Sequence, residues 1–85
     1  MSDSAPAPQA FVDDQRWLAR AVDLAVSNVA EGGGPFGAVI VRAGEEVAAG
    51  QNRVTRDVDP TAHAEVVAIR AACRVVGDFN LSGHV

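Results

Sequence analysis

His63 and Glu65 are the residues of this sequence whose types and spacing best suit chemistry, and they stand two positions apart in DPTAHAE, 59–65. A neutral imidazole is a good zinc ligand, and a carboxylate beside zinc-activated water can carry protons during attack on a carbon centre. Zinc sites take roughly three or four protein ligands. The pair therefore predicts half of a hydrolytic zinc site and leaves open where the other ligands lie.

The position of this pair on its helix decides whether the two side chains can share a site. Residues two apart in mid-helix point about 200° away from each other. Asp59 and Pro60, however, suit an N-cap and a first helical position. That start places His63 and Glu65 in the first turn, where both side chains can reach past a helix end that favours negative charge.

No other residue of the sequence completes the site. Cys73 follows His63 by ten residues, about 15 Å along a continuous helix, which is too far for one zinc ion. We predict Cys73 to be a buried core residue and His84 to be an ordinary strand or loop histidine. A surface histidine followed by a capping glutamate is the competing interpretation of the pair, since such short motifs also occur by chance.

An amphipathic helix is predicted ahead of the strands. Asp13 and Asp14 are candidate N-caps, and the glycine triplet 32–34 is typical of a helix end. The triplet is not a phosphate loop, because it precedes a strand and lacks the Gly-Lys-Ser/Thr that such loops carry. Between these ends, apolar residues at three- and four-residue steps predict one buried stripe: Trp17, Leu18, Ala21, Val22, Ala25 and Val29.

A β-hairpin and a second helix are predicted next. PFGAVIVR (35–42) is a nearly continuous apolar run typical of an interior strand, AGEE (43–46) is a turn signal, and VAAGQN (47–52) is a weaker strand. The second helix starts at the Asp-Pro pair and stops at Gly77. Its predicted apolar stripes are 66, 69, 73 and 76 and, beside them, 68, 72 and 75.

The order of elements predicts a three-layer α/β/α fold that is incomplete. NLSGHV (80–85) indicates a loop entering a third strand, so the order is helix, strand, strand, helix and start of a strand. A two-stranded sheet is marginal in water and leaves both edges open. We therefore interpret residues 13–85 as the front half of a domain and residues 1–12, which are small, polar and Pro-containing, as a flexible tail.

Composition and charge narrow the classes of partner. The net charge is −4 and there is no lysine, so the basic surface that nucleic acid needs is missing from this sequence. A small neutral substrate remains compatible with it. The sequence holds one cysteine, which excludes an intramolecular disulfide, and no apolar run long enough to span a bilayer. Without a signal-peptide pattern, we expect a cytoplasmic protein with no membrane partner.

The longer motifs carry a resemblance to a known family. GGPFGAVIV, GQN and DPTAHAEVVAIRAAC together resemble the cytidine-deaminase-like superfamily of zinc deaminases, and within it bacterial guanine deaminases and related nucleoside deaminases. The resemblance runs from about Trp17 to Val85. In this family a Pro-Cys-x-x-Cys after the third strand supplies two thiolates that complete the zinc site. The 85 residues contain no such motif, so one of three protein ligands is present and we do not expect catalysis by this chain alone.

The resemblance also implies a role for each matching residue. His63 would be a zinc ligand, and Glu65 would carry protons from the attacking water to the base and to the leaving ammonia. The backbone N–H of Ala64 and the side-chain amide of Asn52 would hydrogen-bond the base, and Phe36 would pack on its face. Asn52 closing a turn and Phe36 serving as ordinary core are the alternatives from the residues themselves.

Three functions stay open at this point. The first is a zinc-dependent hydrolytic deaminase of a free purine base, guanine to xanthine plus ammonia, which the resemblance implies is a homodimer at full length. The second is another substrate within the superfamily, either adenosine in tRNA or cytosine and cytidine. The third is a non-catalytic fragment that dimerises or needs a partner chain carrying the cysteines.

Overall fold

Two helices enclose a β-hairpin in the structure, a computed structural model that describes residues 8–85, with side chains from residue 13 onward. The five elements are, in chain order, α1 (Pro8–Ala30), β1 (Gly37–Arg42), β2 (Glu45–Gln51), the single turn α2 (Val54–Asp57) and α3 (Ala64–Val76). None of the helices in this described part is long and apolar enough to cross a membrane.

The hairpin forms where the sequence predicts it. β1 and β2 pair in antiparallel fashion from Gly37 opposite Gln51 to Arg42 opposite Glu45. Ala43 and Gly44 connect them with positive φ angles of 51° and 78°, the backbone that a tight hairpin turn requires. The pairing shifts register between Ile40 and Val41, so the strands carry a β-bulge before the turn.

The two long helices lie on opposite faces of the hairpin. A Cβ atom on Gly37 would lie 2.4 Å from the Ala21 carbonyl oxygen of α1, and one on Gly50 would lie 2.4 Å from the Ala64 carbonyl oxygen of α3. Gln51, which pairs with Gly37, donates from its side-chain Nε2 to the Leu24 carbonyl of α1 at 2.9 Å. Because neighbouring residues of a strand face opposite ways, α1 and α3 form the outer layers. The predicted three-layer α/β/α arrangement is confirmed.

A first contact of a third strand is present on the free edge of β1. Val41 N donates to the Val85 carbonyl at 2.7 Å, and Val85 N donates back to the Val41 carbonyl at 2.8 Å. Such a reciprocal exchange is the hydrogen-bonded pair of an antiparallel ladder. The predicted entry into a third strand is therefore represented by this one pair, on the side of β1 away from β2.

Helix α1 differs from its prediction at its start and on its buried face. It begins at Pro8, so Asp13 and Asp14 lie inside the helix rather than capping it. Residues 8–12 of the predicted tail belong to the helix, and residues 1–7 lie outside the described residues. Leu18, predicted as core, is 67% exposed, because α1 meets the hairpin along a neighbouring row of residues. Val22 and Val29 are exposed as well, whereas these residues turn inward: Trp17, Ala21, Leu24, Ala25 and Asn28.

Helix α3 packs along one of its two predicted apolar stripes and not along the other. Its fully buried residues are Ala64, Ala68 and Ala72, because only small side chains fit where the helix backbone lies directly over Gly50. Burial of 68 and 72 is therefore confirmed, whereas Val75 of that stripe is exposed and the stripe of 66, 69, 73 and 76 is not fully buried. Cys73 is a half-buried free thiol rather than a core residue. The predicted end is confirmed: Gly77 has a φ of 78° and its N–H donates to the Cys73 carbonyl at 2.8 Å.

Candidate functional site

The predicted site residues meet at the end of the hairpin where β1 begins and β2 ends. Phe36 precedes β1 and Asn52 follows β2, and Asn52 N donates to the Phe36 carbonyl at 3.4 Å. The next residue, Arg53, donates its backbone N–H to the carbonyl of Ala62 at 2.8 Å. Ala62 directly precedes His63. These two backbone contacts bring three segments side by side: Phe36, residues 52–53 and residues 62–65. We call these segments the strip, and they include every residue predicted for the site.

A hydrogen-bonded turn delivers the chain to His63. The Asp59 carboxylate accepts hydrogen bonds from the Thr61 backbone N–H at 2.9 Å and from the Thr61 hydroxyl at 2.7 Å. These two bonds, with Arg70 nearby at 3.5 Å, lower the pKa of Asp59 below its usual range. Asp59 therefore stabilises a turn and does not cap a helix, which corrects the predicted helix start at the Asp-Pro pair.

His63 is the N-cap of α3 and lies outside the helix itself. Its backbone is extended, with φ −71° and ψ 155°, and its side chain makes no capping hydrogen bond. The mid-helix geometry that would separate His63 from Glu65 therefore does not apply. The Nδ1 atom of His63 lies 3.5 Å from Oε1 of Glu65, and the two side chains are 57% and 65% exposed. An imidazole and a carboxylate thus stand side by side, both accessible to a ligand.

Ala64, which stands between His63 and Glu65, packs against β2. Its side chain is buried and its carbonyl oxygen lies over Gly50. As the first residue of α3, it has a backbone N–H that no earlier turn of the helix can satisfy. The strip therefore offers three groups together: an imidazole, a carboxylate and a helix-terminal N–H.

The donor set fits one side of a zinc site. His63 supplies an exposed imidazole, and Glu65 supplies a carboxylate beside it that can hold a proton. Within residues 8–85, no cluster of three or more His, Cys, Asp and Glu side chains could hold a metal ion. Cys73 lies a further nine positions along α3 from Ala64, about 14 Å by helix rise. Further ligands to a zinc ion at His63 would have to come from outside these residues.

Asn52 and Phe36 both keep a group open for a ligand. The Oδ1 atom of Asn52 accepts from Val54 N at 3.2 Å, so Asn52 does close a turn into α2. Its Nδ2 makes no hydrogen bond to any described residue and remains available as a donor. Phe36 is 57% exposed, so it is not part of the core that the described residues form.

One residue that contacts the strip, Asn28 of α1, was not predicted. Its side chain is 0% exposed, and its Nδ2 donates to the Gly34 carbonyl at 2.8 Å and to the Asn52 carbonyl at 2.9 Å. A signal was available, because Asn28 follows Leu24 by four positions on the inward face of α1. A polar residue on an otherwise apolar helical stripe indicates a buried hydrogen-bonding role.

The sequence is similar to known deaminases. Residues 12–85 match the family described as the cytidine and deoxycytidylate deaminase zinc-binding region. Guanine deaminase of Bacillus subtilis is 56% identical over 71 residues, which make up 82% of this chain and 46% of that protein. The tRNA-specific adenosine deaminase of Aquifex aeolicus is 47% identical over 49 residues, which make up 58% of this chain and 32% of that protein. The chain spans less than half the length of these curated relatives.

Solved structures show the same fold. The crystal structure of Bacillus subtilis guanine deaminase, again 56% identical, gives a TM-score of 0.81 over 82% of this chain and 45% of that one. A variant of the protein NE0047 in complex with 8-azaguanine, 27% identical, gives a TM-score of 0.79 over 96% of this chain and 52% of that one. The arrangement of α1, the hairpin and α3 is therefore shared with proteins of known structure.

Proposed function

Since this chain belongs to the cytidine and deoxycytidylate deaminase family, we propose that it carries the His-x-Glu half of a zinc-dependent hydrolase that removes ammonia from a purine base, guanine first. The observation that carries the proposal is the contact between His63 and Glu65 at 3.5 Å, with both side chains exposed. In the proposed reaction, water adds to the amine-bearing carbon of guanine, the C–N bond breaks, and xanthine and ammonia leave.

His63 and Glu65 divide the chemistry between a ligand and a proton carrier. His63 would hold zinc together with two thiolates of a Pro-Cys-x-x-Cys motif, which the resemblance implies and these 85 residues lack. When bound, zinc would lower the pKa of water and so supply a nucleophile near neutral pH. Glu65 accepts the proton that this water loses, then delivers protons to the ring and to the departing nitrogen. Its exposed carboxylate next to His63 suits that exchange.

Asn52, Ala64 and Phe36 bind the base in this proposal. The open Nδ2 of Asn52 and the helix-terminal N–H of Ala64 are donors, and the ring edges of a purine offer acceptors. Phe36 offers an exposed aromatic face for stacking. Two donors and one aromatic ring suit a flat heterocycle that carries acceptors on its edges.

Guanine is favoured over the other substrates for two reasons. The Bacillus subtilis relative, 56% identical, is a guanine deaminase, and the similar protein NE0047 was crystallised with 8-azaguanine. Adenosine in tRNA is the second candidate, because the Aquifex aeolicus relative is 47% identical over its matching segment. The net charge of −4 without any lysine counts against a polyanionic substrate.

A chimera tests the proposal. We would continue residues 1–85 into the remainder of the Bacillus subtilis guanine deaminase, where the resemblance implies the Pro-Cys-x-x-Cys motif, and assay ammonia release from guanine, cytosine and tRNA. We expect zinc binding and turnover of guanine. Turnover of tRNA alone would replace the substrate, and zinc binding without any turnover would favour a non-catalytic role.

Glu65→Ala is the sharper variant of the same test. We expect turnover of guanine to fall by about 10²- to 10⁴-fold while zinc stays bound, because the proton carrier is lost and the ligand is not. Glu45→Ala is the matched control, since Glu45 is exposed on β2 and lies outside the strip. Turnover that survives Glu65→Ala would remove Glu65 from the mechanism. His63→Ala should lose the metal.

A further inference from the structure

Asn28 is a fully buried polar side chain, and the residues of described burial include no other. Burying an amide without partners costs free energy, so such a group persists where its hydrogen bonds are made. Here both halves of the amide are used. Nδ2 donates to the carbonyls of Gly34 and Asn52, and Oδ1 accepts from Nη2 of Arg56. The side chain therefore holds three separate segments of the chain.

Two of those segments carry the base-binding residues. Gly34 belongs to the loop that leads into Phe36, whose backbone N–H donates to the Gly34 carbonyl at 2.9 Å. Asn52 is bound through its own carbonyl. A Cβ atom on Gly33 would lie 2.5 Å from Nδ2 of Asn28, so this loop rests directly on the amide. Asn28 thus fixes the main chain on both sides of the space between Phe36 and Asn52.

Arg56 fixes which way the amide of Asn28 faces. A guanidinium only donates hydrogen bonds and a backbone carbonyl only accepts them. Oδ1 must therefore face Arg56 and Nδ2 must face the two carbonyls. Arg56 is itself held near α1 by Glu31, at 3.5 Å between Nη2 and Oε1. The orientation of Asn28 follows from the chemistry of its partners.

We propose that Asn28 is a positioning residue for recognition of the base. It holds the main chain of Asn52 so that the open Nδ2 of Asn52 stays at a fixed separation from the ring of Phe36. The inference rests on the proposed function, because it assigns the space between these residues to a purine. His63 and Glu65 are also held by contacts that do not involve Asn28, the turn at Asp59 and the packing of Ala64 on Gly50. We therefore expect Asn28 to act on affinity for the base rather than on zinc or on proton transfer.

Asn28→Asp in the chimera separates positioning from simple stability. The substitution keeps the shape of the side chain but replaces the donor that faces two carbonyls by an oxygen. We expect KM for guanine and Kd for 8-azaguanine to rise about tenfold to a hundredfold, with kcat nearly unchanged and zinc content unchanged. A loss of stability alone would lower the active fraction, and so the apparent kcat, and leave KM unchanged. That result would overturn the inference.

Arg56→Met gives a second variant in case Asn28→Asp does not fold. It removes the donor to Oδ1 and keeps both Nδ2 bonds, so we expect a smaller rise in KM in the same direction. Arg20→Met is its control, because Arg20 pairs with Glu46 on the surface and lies outside the strip and the contacts of Asn28. An equal KM for Arg56→Met and Arg20→Met, together with an unchanged KM for any folded Asn28→Asp, would contradict the inference.

Amide hydrogen exchange in the 85-residue chain supplies a readout independent of activity. Val54 N is bonded to the side chain of Asn52, so its exchange reports whether Asn52 is held. We expect faster exchange at Val54 in both the Asn28 and Arg56 variants, with Ala68 and Ala72 of α3 still protected. Unchanged exchange at Val54 would overturn the positioning role. A chimera inactive on every substrate would instead refute the proposed function, and the exchange result would still decide the role of Asn28.

Discussion

The helices α1 and α3 each cross the hairpin over a glycine, yet they are held in different ways. The three atoms nearest to a Cβ atom on Gly50 would all be main-chain atoms of α3, the first two being the Ala64 carbonyl oxygen at 2.4 Å and Ala68 N at 2.5 Å. A Cβ atom on Gly37 would meet the Ala21 carbonyl oxygen at 2.4 Å but also the side chain of Leu24 at 2.7 Å. Beyond that contact, side-chain hydrogen bonds join α1 to the hairpin, from Gln51 to the Leu24 carbonyl and from the buried amide of Asn28 to the Asn52 carbonyl.

This difference separates the two tasks of the site. α3 starts at His63 and Glu65, for which we propose the roles of zinc ligand and proton carrier. Its main chain lies directly on the main chain of β2, so few alternative positions are open to it, since no rotamer change can fill or open the gap. α1 ends beside the loops that would bind the base, and hydrogen bonds set their positions. Close packing of the main chain therefore positions His63 and Glu65, which would carry out the chemistry. Hydrogen bonds position Phe36 and Asn52, which would bind the base.

Gly50→Ala should cause the largest loss of stability among these variants. The added methyl group collides with main-chain atoms that cannot move by changing rotamer, so α3 has to lift from β2. We expect the free energy of unfolding to fall by about 3 kcal/mol or more, measured by urea denaturation followed by circular dichroism. Val75→Ala on the exposed side of α3 should change it by less than about 0.5 kcal/mol. Equal effects of the two variants would contradict direct backbone packing.

Gly37→Ala should cause the next largest loss of stability, and it should displace α1 rather than α3. We expect a loss of about 1–3 kcal/mol, because α1 packs on the hairpin less extensively than α3 does and loses less when it moves away. The single tryptophan, Trp17, lies on α1, so its fluorescence reports displacement of that helix. Amides of Ala68 and Ala72 in α3 should keep their protection. Loss of protection in α3 to the same extent as in α1 would show that the two helices are not held independently.

Acid should cause a smaller loss of stability than these glycine substitutions, and the loss should arise in the turn that precedes α3. The pKa of Asp59 is lowered by hydrogen bonds from Thr61, so the folded chain binds fewer protons there than the unfolded chain. This contribution is present above the ordinary carboxyl pKa and is lost as pH falls through the folded pKa. Between about pH 5.5 and about pH 3, the urea midpoint should fall more in the wild type than in Asp59→Asn. A parallel fall in both would rule out Asp59 as the source.

Leu18→Gln should have the smallest effect. Leu18 is 67% exposed at the border of the inward face of α1, where it lines a cavity with Ala21 and Val85, so we expect a change in unfolding free energy within about 0.5 kcal/mol. Ala21→Gln, one turn on and facing Gly37, is the matched inward variant and should cost about 1–3 kcal/mol. If Leu18→Gln destabilised the chain as much, in a concentration-dependent way, Leu18 would have to be covered by another copy in solution.

The hairpin and the helix end at Gly77 could be predicted because their chemistry is local. Turn residues and glycine caps act over a few positions, whatever the rest of the chain does. The start of α3 was missed for a related reason. Asp59 can either cap a helix or bond the backbone two residues on, and the sequence alone does not decide between them.

The buried faces of both helices were harder to predict. Size and hydropathy favour Val66 and Ile69 as core, but a helix that lies on a strand glycine buries its smallest residues instead. Two features of the sequence together indicate this packing: Gly50 in a predicted strand, and alanines four residues apart at 64, 68 and 72. For the site, the motifs and the family resemblance pointed to His63, Glu65 and Asn52. The dependence of Asn52 on Asn28 was not predictable, because it joins residues 24 positions apart through a side chain.

The single backbone pair between Val41 and Val85 gives the free edge of β1 a direction. In an antiparallel ladder, the partner of Val41 runs toward residues of lower number on β1. A strand that continued this pairing, from the same chain or from another, would stand opposite Gly37 after four further residues, about 14 Å along. It would emerge beside Phe36, at the same end of the sheet as His63. The edge of β1 therefore sets both the register and the direction of a strand that adds to it, and so the end of the sheet at which the side chains of that strand would lie.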